Sequence, residues 1–230
     1  MNTEAQTPPA RIPLKGLRGS IARNMSAGWQ APRVGMAVEV DMSRCQALRP
    51  TLQAAAGAEK ITLTPILLRA LALTLHAHPR LNALIRDDGI EPVANVHLGV
   101  AVSLAEGLAV PVLRDAETKS VAALAAELRE LAAGARAGKL PPRAYQSGTF
   151  TVSNLGMTGI DWFTPILNAP QVGILGISRI ADRAIVRDGA LVVAPMTTLT
   201  LVFDHRAIDG EPAARFLADL RRRIEAGDDL

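Results

Sequence analysis

The chain has 230 residues, enough for one domain with a sizeable core. Apolar residues make up 49% and charged residues 20%, which excludes a disordered chain. A net charge of +3, with basic residues interspersed among Asp and Glu, gives no basic run of the kind that binds nucleic acid.

Residues 1–11 are polar and carry Pro8 and Pro9. They are expected to form a flexible leader, with one domain over residues 12–230. The leader lacks the charged-then-apolar order of a signal peptide. Val34–Val40 alternates apolar and small or polar residues, which predicts a strand with one wet face. Thr64-Pro65 predicts a helix start and Pro79 its end. The apolar run inside that helix, Ile66–Ala77, is broken by Arg69 and is too short to span a bilayer, so no membrane segment is expected.

Leu98–Val102 is an apolar run bounded by turns, as in a sheet covered on both faces. Ser120 starts an Ala-rich helix that fades by Gly138. Val172–Ile177 predicts a second covered strand. Its glycines do not form the G-x-G-x-x-G fingerprint of a dinucleotide site. In Val186–Val192 the pair Asp188-Gly189 predicts a hairpin turn. Thr198–Phe203 predicts a strand ending near His205. Asp209 opens the last helix, with Ala213, Phe216, Leu217, Leu220 and Ile224 on one face. Arg221-Arg222-Arg223, near that helix's C-terminal end, reads as a solvated face that complements the helix dipole. Interspersed strands and helices predict an α/β sandwich, a mixed β-sheet covered by helices.

Cys45 is the only cysteine, and the four histidines are scattered. An intramolecular disulfide is excluded, no metal site is expected, and a reducing cytoplasm fits.

The most informative segment is Val202–Glu211. His205 follows an apolar strand and precedes a helix, a junction where a rigid element holds a side chain and the chain end opens to a cleft. Histidine exchanges protons near neutral pH. Read alone, these residues suit structure as well as chemistry: Asp209 as a helix cap, Asp204 and Arg206 as an ordinary surface ion pair.

The string Asp204-His-Arg-Ala-Ile-Asp-Gly210 resembles the Asp-His-Arg-x-x-Asp-Gly signature of the dihydrolipoamide acyltransferase components of 2-oxoacid dehydrogenase complexes. Chloramphenicol acetyltransferase is similar in fold and uses a related histidine motif. Further stretches resemble the same family: Gly148–Gly156, Phe163–Gly176, Leu98–Ser103 with Gly107–Ala116, Ile21–Met25 and Glu39–Met42. The resemblance runs from about Ile12 to about Glu225.

The resemblance implies a chloramphenicol-acetyltransferase-like fold and acyl transfer between coenzyme A and a dihydrolipoyl thiol, without metal. His205 matches the family's general base. Ser153 matches the Ser or Thr that stabilises the oxyanion. Asp209 matches the aspartate that holds the histidine in place, with Arg18 as the candidate arginine partner. Ser153, Asn154 and Ser178 fall where members touch coenzyme A, and Arg49 is a further candidate. The family also implies a homotrimer, with the histidine of one subunit facing the serine of the next. Two positions depart from the pattern: Ser103 stands where some members carry Asp, and Pro32-Arg33 where many have Pro-His.

None of Lys15, Lys60, Lys119 or Lys139 sits in a lipoyl-attachment context, so no lipoyl or subunit-binding domain is expected. The lipoyl group would come from another chain or domain, with 2-oxoacid dehydrogenase subunits as further partners. Two alternatives stand beside this reading: a coenzyme A-dependent acyltransferase acting on a small molecule, and a stand-alone assembly core for partner enzymes. The end of the chain, Ile224–Leu230, offers little apolar surface and two adjacent carboxylates, so a free trimer is expected rather than a larger shell.

Overall fold

One strand organises the molecule. In this computed structural model, which describes residues 11, 13–105 and 107–230, Ala190–Asp204 is a single extended strand whose last nine residues, Met196–Asp204, are all buried. The leader expected over residues 1–11 lies outside the described residues, apart from Arg11.

The elements run in order as helix α1 (Gly16–Gln30), strand β1 (Arg33–Asp41), helices α2 (Ser43–Ala55) and α3 (Leu63–Ala77), strands β2 (Ala83–Arg86), β3 (Gly89–Pro92), β4 (Leu98–Val100), β5 (Val102–Leu104), β6 (Gly107–Ala109) and β7 (Val112–Leu113), helix α4 (Val121–Arg136), strands β8 (Phe150–Asn154), β9 (Gly173–Ile177), β10 (Ala181–Arg187) and β11 (Ala190–Asp204), and helix α5 (Gly210–Ala226). Among the described residues the main sheet has seven strands in the order β1-β11-β9-β8-β4-β7, with β10 added to β11. It is mixed: β8 pairs parallel with β4 and β9, and the other pairs are antiparallel. The expected α/β sandwich with a mixed sheet is what the chain forms.

The period of two along each strand sorts side chains to two faces. Phe150, Val152, Leu175, Ile177, Leu199, Leu201 and Phe203 point into the main core. There they meet Ile66, Leu68, Leu71 and Leu75 of α3, Leu124 of α4, and Phe216, Leu217 and Leu220 of α5. α5 packs with the face read from its sequence: Ala213, Phe216, Leu217, Leu220 and Ile224 are all buried. On the other face Ile174 and Val202 pack with Leu167 and Ala31 in a smaller cluster. The fit there is close, because a Cβ on Gly28 of α1 would lie 1.9 Å from the Leu167 carbonyl oxygen.

Several expectations are refined. α3 begins at Leu63 with Thr62 at its cap position, so Pro65 sits in the third helical position. All three positions leave the proline's missing N–H outside the helical ladder. Thr64, expected to cap, instead accepts a hydrogen bond from Asn154 Nδ2 at 3.1 Å. Leu98–Val102 is not one strand. β4 stays in the main sheet while Val102 enters a separate two-stranded ribbon of β5 and β6, and Ala101 between them donates to the Val152 carbonyl. Ser120 caps α4 by accepting from the Ala123 N–H. The Asp188-Gly189 turn joins β10 to β11 with both residues at positive φ, 52° and 79°, as a two-residue hairpin of the right twist requires.

Candidate active site

Strand register places Ser153 and His205. Ser153 on β8 is opposite Gly176 on β9, and Gly176 is opposite Thr200 on β11. His205 lies five residues beyond Thr200, just past the end of β11. At about 3.3 Å per residue and 4.8 Å per strand, the two backbones are roughly 19 Å apart. One chain therefore does not bring the two side chains together. They sit at opposite ends of one sheet.

At the histidine end, the backbone is fixed before the ring is. The Asp204 N–H donates to the Val172 carbonyl and the His205 N–H to the Pro32 carbonyl, both at 2.9 Å. A turn follows, with the Ala207 N–H donating to the Asp204 carbonyl at 3.0 Å. Asp204 and Arg206 are not the surface pair their spacing suggests. Asp204 is 2% exposed, and its carboxylate accepts from the Arg206 backbone N–H at 3.0 Å and from Nε and Nη2 at 3.0 and 2.6 Å. Its hydrogen bonds hold the Arg206 guanidinium above its usual range. A buried carboxylate needs such donors, and here they lock the loop that carries His205.

The His205 ring is about half exposed and lies 6.0 Å, centroid to centroid, from the Phe203 ring. Its Nδ1 is 3.9 Å from Asp209 Oδ1. Asp209 occupies the cap position of α5, but its side chain makes no cap hydrogen bond there. Arg18, the expected partner of Asp209, is exposed and forms no ion pair with it among the described residues. The reason is geometric: the C-terminal end of α1 abuts the His205 loop through Pro32, whereas Arg18 sits twelve residues back, roughly 18 Å along the helix. Arg33, beside that loop, is turned away. Its guanidinium lies 3.3 Å above the Trp29 ring and donates to the Trp29 carbonyl at 2.6 Å.

At the serine end, Ser153 and Thr151 share one face of β8 and line a cavity of about 230 Å³. The Ser153 hydroxyl has no hydrogen-bond partner among the described residues, unlike an ordinary strand-end hydroxyl tied to backbone. Opposite it, α1 presents Ile21, Asn24 and Met25, spaced to share a helical face. The polar wall is a ladder: Asn24 Nδ2 donates to Asn168 Oδ1 (2.6 Å), Asn168 Nδ2 to Thr151 Oγ1 (3.1 Å), and Thr151 Oγ1 to Gln171 Oε1 (2.5 Å). Reading single residues misses this ladder, because its members come from α1, β8 and an irregular loop. The only sequence signal is the i, i+3, i+4 spacing inside Ile21–Met25.

The other predicted contacts are placed as follows. Asn154 is committed to the fold: its Oδ1 accepts from the Gly156 N–H at 2.8 Å while Nδ2 holds Thr64. Ser178 is 2% exposed, and its hydroxyl donates to the Thr198 carbonyl and accepts from the Thr198 N–H, each at 3.0 Å. Those two bonds splice β9 to β11. Arg49 is exposed on α2. Ser103 is exposed on β5 opposite Leu108. Among the described residues no three His, Cys, Asp or Glu side chains gather as metal ligands, and no helix is long and apolar enough to cross a membrane.

Comparison with known proteins gives one consistent result. The chain matches the family described as 2-oxoacid dehydrogenases acyltransferase (catalytic domain) over residues 6–230. It is 40% identical over 227 residues to the dihydrolipoyllysine-residue acetyltransferase component of the pyruvate dehydrogenase complex of Bacillus subtilis, covering 96% of this chain and 51% of that protein. It is 39% identical over 220 residues to the lipoamide acyltransferase component of the branched-chain alpha-keto acid dehydrogenase complex of Pseudomonas aeruginosa, covering 93% and 51%. The chain thus spans about half the length of these relatives.

Among solved structures, the fold superposes on Azotobacter vinelandii dihydrolipoamide acetyltransferase with a TM-score of 0.90 and 36% identity over 96% of this chain and 93% of that one. That structure comes from investigations on the role of a serine, a histidine and an asparagine in the catalytic mechanism. The serine and histidine there are 52 positions apart and the asparagine four further on, the same separations as Ser153, His205 and Asp209 here. Chloramphenicol acetyltransferase, at 15% identity over 93% of this chain and 98% of its own, shares the fold alone, with a TM-score of 0.54. With the fold, the family profile and the relatives in agreement, the chain belongs to the 2-oxoacid dehydrogenase acyltransferase catalytic-domain family.

Proposed function

We propose that this acyltransferase domain moves a short acyl group between coenzyme A and a dihydrolipoyl thiol, with His205 as general base and Ser153 as oxyanion donor. The observation that carries the reading is the pair of separations shared with the Azotobacter enzyme, joined to an unpaired Ser153 hydroxyl and a half-exposed His205 ring.

The chemistry follows from those two groups. A thiol is a weak nucleophile until its proton leaves. His205 Nε2 takes that proton as the dihydrolipoyl sulfur attacks the thioester carbonyl. A C–S bond forms and the carbonyl π electrons move onto oxygen. The Ser153 hydroxyl donates to that oxyanion. Collapse breaks the bond to the coenzyme A sulfur, which recovers the proton from the His205 imidazolium, so no proton or electron is left over. Asp209, beside Nδ1, orients the ring, in the place where the Azotobacter enzyme carries asparagine. Arg49, an exposed cation, is the remaining candidate for a coenzyme A phosphate contact, with the backbone around Ser153-Asn154 near the thioester.

The separation of roughly 19 Å within a chain supports a working site between copies, and the family resemblance, not the distance, supplies the homotrimer. The lipoyl arm comes from a lipoyl-bearing chain or domain, and 2-oxoacid dehydrogenase subunits are the expected partners. A reducing cytoplasm suits the single buried thiol. Identity does not choose the acyl group, since the acetyltransferase and the branched-chain relative match almost equally. Purified protein incubated with acetyl-coenzyme A and dihydrolipoamide should form the acyl thioester without added metal. No thioester from acetyl- or any longer acyl-coenzyme A, while a small-molecule acceptor is acylated, would replace the reading.

A further inference from the structure

The cavity beside Ser153 contains information about the acyl group that the relatives do not. It is walled by Ile21 and Met25 of α1, Leu108 and Val110, Phe163, and Ile166. Ala101 and Ile174 complete its apolar surface, and none of its described lining residues is charged. Its polar members Asn24, Asn168 and Thr151 bond to one another along one side of the cavity. Ser153 is the lining residue whose hydroxyl remains free. A thioester whose carbonyl oxygen meets Ser153 therefore has its alkyl group against this apolar wall.

Resting on the function proposed above, we infer that the preferred substrate carries a branched acyl group of four or five carbons, larger than acetyl and uncharged. Size is the first argument. The cavity, about 230 Å³ and open on one side, has room for such a chain along its apolar wall, whereas acetyl leaves most of that wall uncovered. Each further methylene buried gains about fourfold in binding. Charge is the second argument. A succinyl carboxylate would lose its water with no cation among the described lining residues to replace it, which disfavours dicarboxylic acyl groups.

The test compares acetyl-, isobutyryl-, isovaleryl- and succinyl-coenzyme A with dihydrolipoamide as the common acceptor. The branched substrates should exceed acetyl in kcat/KM by about tenfold or more, and succinyl should fall below acetyl. Ala101→Leu, which fills the cavity, should lower the isovaleryl-to-acetyl ratio by about ten- to a hundredfold. Leu108→Ala, at the 36%-exposed rim, should move the preference toward longer chains and serves if the first variant fails to fold. Acetyl preferred by the wild type, or ratios unmoved in a folded variant, overturns the acyl assignment while leaving acyl transfer standing. No turnover with any acyl-coenzyme A removes the underlying function and the inference with it.

Discussion

Ser153 and His205 are carried by the same sheet yet lie at opposite ends of its strands, two strands and five residues apart in register. Ser153 lies in the apolar cavity under α1, and His205 on a loop pinned to Pro32 and Val172. With the roles proposed above for His205 and Ser153, that separation calls for a second copy to complete the site.

His205→Ala should lose on the order of two to four decades of turnover, the contribution expected of a positioned general base. Thioester formation followed directly, with folding checked by circular dichroism, decides it. Wild-type turnover in the variant removes His205 from the mechanism.

Ser153→Ala should lower kcat by roughly two to three decades with little change in either Michaelis constant, because an oxyanion donor acts in the transition state. Since the hydroxyl has no partner in the fold, thermal stability should stay at the wild-type value. Raised Michaelis constants with kcat intact would make Ser153 a binding contact only.

Asp204→Ala should do the opposite in kind. It strips the buried acceptor from the Arg206 guanidinium and backbone, costing about 1–3 kcal/mol of stability, and it frees the loop that aims His205. A lower melting temperature accompanied by lost activity is expected. An unchanged melting temperature would mean that the buried pair contributes nothing.

Much of this architecture was readable from the chain because hydrophobic period and turn chemistry agree locally. The β10–β11 hairpin followed from Asp188-Gly189, the α4 cap from Ser120, and the buried face of α5 from five apolar positions. What was not readable depends on tertiary context. Asp204 looked like half of a surface pair because sequence spacing carries no burial, and the sheet interior decides that. Nothing local shows that the Ser178 hydroxyl is shared with Thr198, twenty residues on. α2 gave no signal, since Pro50 lies within it and its start is capped from outside, Asp41 Oδ1 accepting from the Ser43 N–H at 2.9 Å. Arg18 is not brought to Asp209 within one chain, and that separation was not legible because α1 was not recognised as a helix whose length could be counted.

Cys45 should be inert in the folded protein. It is buried under α5 with Sγ 3.5 Å from the Ile224 carbonyl, and burial pushes its thiol up to about 11. At pH 8 the thiolate fraction is on the order of a thousandth, and the buried sulfur is closed to reagents as well. A disulfide exchange reagent should therefore label the native chain at a negligible rate and label it once per chain in denaturant. Rapid labelling of native protein would show that the α2–α5 contact opens readily.

Subunit complementation tests the shared site most directly. His205→Ala and Ser153→Ala chains, separately tagged, are co-expressed and their mixed assemblies purified through both tags. If the site joins the histidine of one copy to the serine of the next, one of the three boundaries in every mixed trimer recovers both wild-type groups, about a third. Activity should return to that order of the wild-type value, far above either parent. Mixed assemblies no more active than the two inactive parents would place the whole reaction within one chain and contradict the account.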